Sequence, residues 1–192
     1  KLMHKHKEDG VTYFVTLDCF QRQPLMARPH VKQMLIEVIQ KTRSQFGLHI
    51  AAYVILENHL HLIFIMPVDG ECLAPMNYLR AHMTRVWREQ AQILDDRPFW
   101  DHGSKLRAME DVDDLRAHLD YIHYDPVRHG LCARAYDYFW SSLPARVEQG
   151  HYPEDWAVMG PPASLRRVGA HPYASSVQAT VSPARNGTTP AA

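Results

Sequence analysis

Tyr53-Val54-Ile55-Leu56-Glu57-Asn58-His59-Leu60-His61-Leu62-Ile63-Phe64-Ile65-Met66-Pro67 is the stretch on which the reading of this chain turns. Its apolar, β-branched and aromatic residues, broken at Glu57-Asn58 and closed by Pro67, predict a strand, a tight turn and a second strand. Side chains alternate faces along a strand, so Leu60 and Leu62 point into a core while His59 and His61 share the opposite face. Two imidazoles converging from one strand face can hold a metal. A half-buried strand can equally carry polar residues on its wet face, and the pair by itself fits both readings.

Working outward, Val11 to Phe20 is β-branched and aromatic, and predicts an earlier strand that Pro24 and Pro29 end. Val31, Met34, Leu35, Val38 and Ile39 then recur at helical spacing, which predicts an amphipathic helix over 30–46 stopped by Gly47. Leu48 to Leu56 forms the first arm of the hairpin. Beyond the loop from Pro67 to Cys72, Met76, Leu79, Met83, Val86 and Trp87 give a second helix over 76–94. A short strand is expected from Lys105 to Met109. Acids between Asp111 and Asp114 cap a third helix that runs to about Tyr124, where Pro126 stops or kinks it.

The order is that of an α+β, ferredoxin-like βαββαβ sandwich with an antiparallel sheet. Short aromatic segments after Gly130, with a C-terminal helix, are expected to pack over this core. From Pro161 onward Pro, Ala, Ser, Arg, Gly and Thr dominate. One domain over 1–160 with a disordered tail over 161–192 is therefore expected.

Of the 192 residues, 46% are hydrophobic, which suits one globular domain. No apolar run approaches the ~18–20 residues that span a bilayer, so no membrane partner is expected. Cys19, Cys72 and Cys132 form no zinc-type pair, which fits the reducing cytoplasm. With 21 basic and 21 acidic residues, no global field draws the chain to a polyanion, although local basic clusters such as that within residues 1–7 remain.

A second segment changes the weight of the histidine pair: Tyr121-Ile122-His123-Tyr124-Asp125-Pro126-Val127-Arg128-His129-Gly130-Leu131. Together with His59-Leu60-His61, Phe99-Trp100-Asp101-His102 and Tyr138-Phe139-Trp140-Ser141-Ser142, it resembles the REP-associated tyrosine transposases, within the HUH, IS200-like family of single-strand DNA transposases. The likeness spans roughly residues 10 to 158 in matching order. It implies an HUH nuclease fold, His59, His61 and Asp125 as ligands of Mg2+ or Mn2+, and Tyr121 as nucleophile. It also implies single-stranded DNA with REP-type hairpins as substrate, and a monomer rather than a dimer.

That chemistry is coherent. A phenol with pKa ~10 is a poor nucleophile at neutral pH, and a phosphodiester repels anions. A divalent ion on the histidines offsets both problems. Attack by Tyr121 on phosphorus would leave a 5′-phosphotyrosine and a free 3′-OH, which keeps the step reversible.

Two positions depart from the family pattern. Asp125 stands where asparagine or glutamine is usual, and Glu57 where proline is common. Tyr124 is the rival nucleophile, while His123 and His129 match positions that are structural or DNA-facing. Arg80, Arg85 and Arg128 are candidate phosphate contacts, each also explicable as a solvated helix charge. Two histidines and a carboxylate also suit non-haem iron, a reading that leaves Tyr121 unexplained. A decayed transposase that only binds hairpin DNA or regulates transcription is the non-enzymatic alternative.

Overall fold

The computed structural model describes residues 10–67, 70–92 and 96–168. Its four strands are β1 (Val11–Asp18), β2 (His49–Ile55), β3 (His59–Met66) and β4 (Lys105–Ala108). They form one antiparallel sheet in the order β2-β3-β1-β4. Helix α1 (Pro29–Phe46) joins β1 to β2, α2 (Leu73–Ala91) joins β3 to β4, and α3 (Val112–Arg128) follows β4. A six-residue helix, α4 (Leu143–Glu148), comes last among the α-helices described. This is the ferredoxin-like α+β arrangement that the strand and helix pattern predicts.

The sheet is buried on both sides. On one face Val15, Leu17, Leu60, Leu62 and Phe64 pack against Leu35 and Val38 of α1 and Leu79 and Met83 of α2. On the other, Phe14, Ala52, Val54 and Ile63 meet Tyr121 and Ile122 of α3. The wet face that was one reading of His59 and His61 does not exist, since both are 0% exposed. A third helix lies over them, and strand alternation alone could not announce it.

Helix α3 also runs further than Pro126 suggests. It passes through that residue to Arg128, so Asp125 is helical and stands one turn from Tyr121. Proline removes one backbone donor but its fixed φ suits a helix. The end is closed by His129 N–H to Asp125 O at 3.0 Å and Leu131 N–H to Pro126 O at 2.9 Å. Gly130, at φ 67°, supplies the left-handed residue this ending needs.

The segment from 161 to 168, expected as the start of a tail, includes a 3-10 turn over Ala163–Arg167. Leu165 and Val168 pack on the α3 side of the core, and Ser164 donates to Asp120. The remainder of the expected tail, the basic cluster in residues 1–7 and the last two residues of the expected second helix, 93 and 94, lie outside the described residues. Among those described, no helix is long and apolar enough to cross a membrane.

Candidate metal centre and nucleophile

His59 and His61 reach the same point because they are two apart on β3, and Asp125 meets them from α3. Asp125 Oδ2 lies 3.4 Å from His59 Nε2 and 3.4 Å from His61 Nε2. One candidate ligand atom from each residue falls within 4.8 Å of the others, and all three side chains are buried. Metal–ligand bonds of ~2.1 Å place neighbouring ligand atoms ~3.0–3.4 Å apart, so this spacing fits a common divalent ion. It is long for a good N–H···O bond, whose usual range is ~2.7–3.2 Å. Imidazole nitrogens with a hard carboxylate oxygen suit Mn2+ and tolerate Mg2+.

The outer ring nitrogens explain why both Nε2 atoms point inward. His59 Nδ1 is 2.7 Å from Asn58 Oδ1, and Asn58 Nδ2 donates to Arg22 O at 3.3 Å. The second bond fixes the amide's orientation, so Oδ1 accepts from His59 Nδ1–H. His61 Nδ1 is 2.9 Å from Thr16 Oγ1, its register partner across β1 and β3. With a proton held on each Nδ1, both Nε2 lone pairs would be available to an ion bound beside Asp125.

The two oxygens of Asp125 are used differently. While Oδ2 faces the imidazoles, Oδ1 accepts from Arg128 Nη1 at 2.9 Å and stands 3.6 Å from His129 Nε2. Burial pushes this carboxyl's pKa up, but the neighbouring imidazoles of His59 and His61 outweigh burial and hold it below the ordinary carboxylate range. His129, whose ring lies 5.1 Å from that of His59, has its pKa lowered by burial.

Tyr121 is 3% exposed and stands beside this cluster, its ring 5.3 Å from that of His61 and edge-on to Phe14 at 6.2 Å. The Arg128 guanidinium lies 4.6 Å from its ring centroid. Burial first, then the Asp125 charge, push the phenol up to about 12, with Arg128 and Arg22 opposing. Tyr124 turns away, with its ring 6.4 Å from that of Trp156.

The three candidate arginines separate. Arg128 is inside the centre. Arg80 and Arg85 line an open groove of about 1150 Å³ along α2, with Thr84, Arg88, Trp100 and His102. There Arg80 donates to Asp101 O and Arg85 to Glu89. The sequence reading passed over Thr16, Asn58 and Arg22. Only strand register and the fold of the turn after β1 bring them to the histidines; Asn58, next to His59, was the one signal at hand.

Fold and site together define a protein of the tyrosine-transposase class. Residues 9–125 match the family described as "Transposase IS200 like", and the chain belongs to that family. It is 28% identical over 155 residues to the REP-associated tyrosine transposase of Escherichia coli (strain K12), covering 77% of this chain and 86% of that protein. A solved structure of a REP-associated tyrosine transposase bound to a REP hairpin matches with a TM-score of 0.67 and 26% identity, over 78% of this chain and 86% of that one.

Proposed function

We propose that this protein is a metal-dependent single-stranded DNA endonuclease and strand transferase acting on REP-type hairpins. The observation that carries the reading is the juxtaposition of Tyr121 with the His59–His61–Asp125 cluster, nucleophile and third ligand being one helical turn apart on α3. A divalent ion, Mg2+ or Mn2+, held by these three residues would polarise the scissile phosphate and stabilise the leaving oxygen.

Tyr121 Oη attacks phosphorus, the bond to the 3′ oxygen breaks, and a 5′-phosphotyrosine remains on the protein. The phenolic proton passes to solvent and the departing oxygen takes one up as 3′-OH. Because the bond energy is retained, that hydroxyl can reverse the step or a different one can replace it. A phenol raised by burial stays protonated at neutral pH, so cleavage depends on charge brought by the ion and by Arg128.

The α2 groove, with Arg80 and Arg85, suits the hairpin's phosphate backbone. It lies among residues that pack with the helix side of the sheet away from α3. Its wall includes Phe99 and Trp100, and this segment hydrogen-bonds the end of β1 through Phe20 N–H to Phe99 O and Asp101 N–H to Asp18 O. Asp18 in turn lies opposite His59 in the β1–β3 register. The active unit is proposed to be a monomer, with Tyr121 acting beside the histidines of its own chain.

The test is to incubate the protein with a labelled single-stranded REP-type hairpin and Mn2+ and then denature it. A covalent adduct, lost in Tyr121→Phe and without metal, is expected. DNA binding with no adduct would instead identify a hairpin-binding descendant of the family.

A further inference from the structure

The turn after β1 carries a conformational cost. Gln21 (φ 51°) and Arg22 (φ 54°) are consecutive non-glycine residues in left-handed backbone, a region unfavourable for any residue with a Cβ. The turn is pinned from several sides. Arg22 N–H donates to Cys19 O at 2.8 Å, Cys19 N–H to Asn58 O at 2.9 Å, and Asn58 Nδ2 to Arg22 O at 3.3 Å. The same Asn58 accepts from His59. One amide thus fixes a metal-ligating histidine and the backbone of Arg22 together.

The Arg22 side chain reaches the same end of the sheet. Its Nη1 is 3.8 Å from Asp18 Oδ1, and Asp18 lies opposite His59 in the β1–β3 register. Lys105 Nζ stands 3.5 Å from the other oxygen of Asp18. Around the centre, therefore, Arg22, Lys105 and Arg128 face Asp18 and Asp125, and the balance is cationic. Arg128 is turned inward, its side chain 19% exposed, whereas that of Arg22 is 37% exposed.

We propose that Arg22 grips the phosphate that Tyr121 attacks, held at the mouth of the centre by the left-handed turn and by Asn58. The assignment rests on the function proposed above. A planar guanidinium suits two phosphate oxygens at once, and its 3.8 Å contact with Asp18 is long enough for a phosphate to displace.

The experiment compares two hairpin substrates, one with an ordinary scissile phosphate and one with a neutral methylphosphonate there. Binding is measured by fluorescence anisotropy, in buffer without divalent metal, in the Tyr121→Phe protein, which cannot cleave. That protein is expected to bind the methylphosphonate about tenfold more weakly, a typical loss for a charge-assisted pair. Adding Arg22→Gln should weaken phosphate binding by the same factor, erase the difference between substrates, and reduce the salt slope by about one. Arg22→Lys should fall between the two. Manganese affinity by calorimetry should stay unchanged in both. Equal discrimination in the parent and in both Arg22 variants overturns the assignment, as does a parent indifferent to the methylphosphonate. Failure of the underlying reading looks different: wild type, with Tyr121 present, would form no adduct on the ordinary hairpin.

Discussion

Arg128 donates to Oδ1 of Asp125 at 2.9 Å, three residues along the same helix, and so decides which oxygen the carboxylate turns to the imidazoles. A lone buried aspartate beside two histidines would be free to rotate. This one is anchored on its outer side and presents Oδ2 inward.

Removing the carboxylate should therefore remove the site. Asp125→Ala is expected to abolish Mn2+ binding by calorimetry, while Asp125→Asn keeps a ligand oxygen and binds more weakly, by about tenfold or more. If Asp125→Ala bound Mn2+ as wild type does, the cluster would not be the metal site.

The outer partners of the histidines should matter nearly as much. Thr16→Val and Asn58→Ala are each expected to weaken Mn2+ binding by about 10- to 100-fold. Thr16→Ser, which keeps the hydroxyl 2.9 Å from His61 Nδ1, should restore most of it. Loss of affinity in Thr16→Ser equal to that in Thr16→Val would point to packing of the methyl group instead.

Tyr121 and Tyr124 give a clean contrast. Tyr121→Phe should end adduct formation yet retain Mn2+ binding, and Tyr124→Phe should leave the adduct intact on a denaturing gel. An adduct surviving in Tyr121→Phe would transfer the role elsewhere.

His123 gives a pH signature separate from catalysis. Burial, helped by the Arg146 charge, pushes this imidazole down to about 3, below its ordinary ~6.5. Its Nε2 lies 2.9 Å from Ser142 Oγ. A depressed pKa means the fold holds it neutral, so its stabilisation is complete above pH ~6.5 and is lost as pH falls towards 3. Wild type should lose about 3 kcal/mol more than His123→Gln between pH 7 and pH 4 in urea unfolding. Parallel curves for the two proteins would refute this.

The C-terminal segment should stabilise α3 from behind. Tyr152 donates to Asp120 at 2.9 Å, and Ser164 also reaches that carboxylate. Tyr152→Phe should cost about 1–2 kcal/mol in the same assay, one hydrogen bond to a charged group. A double variant with Ser164→Ala should cost more than either alone.

Much of this molecule was legible in its residues. The alternation through Leu60, Leu62 and Phe64 located β3 and its core face, and the spacing from Val31 to Ile39 located α1. The motif from Tyr121 to Leu131 put a nucleophile and a third ligand on a later element. The burial of both sheet faces was hidden, because a histidine on a strand looks the same under water or under a helix. Pro126 misled because its steric rule concerns one turn of backbone, while the packing of α3 on the sheet favours continuing. Thr16, Asn58 and Arg22 were silent because ordinary residues become partners only through register and turn geometry. The short turn at 163–167 was masked by a composition typical of linkers, with Leu165 and Val168 as its only apolar anchors on α3.

The pairing of Asp125 with Arg128 has an evolutionary consequence. An amide at position 125 would need no such neutralisation, whereas here each residue makes the other tolerable. Substitutions at the two sites should therefore be epistatic. Asp125→Asn alone leaves the arginine's inner charge unanswered, Arg128→Gln alone leaves the carboxylate unanchored, and the double exchange should cost less stability than the two single losses summed. The chain would then sit on one of two compatible solutions, separated by intermediates less fit than both.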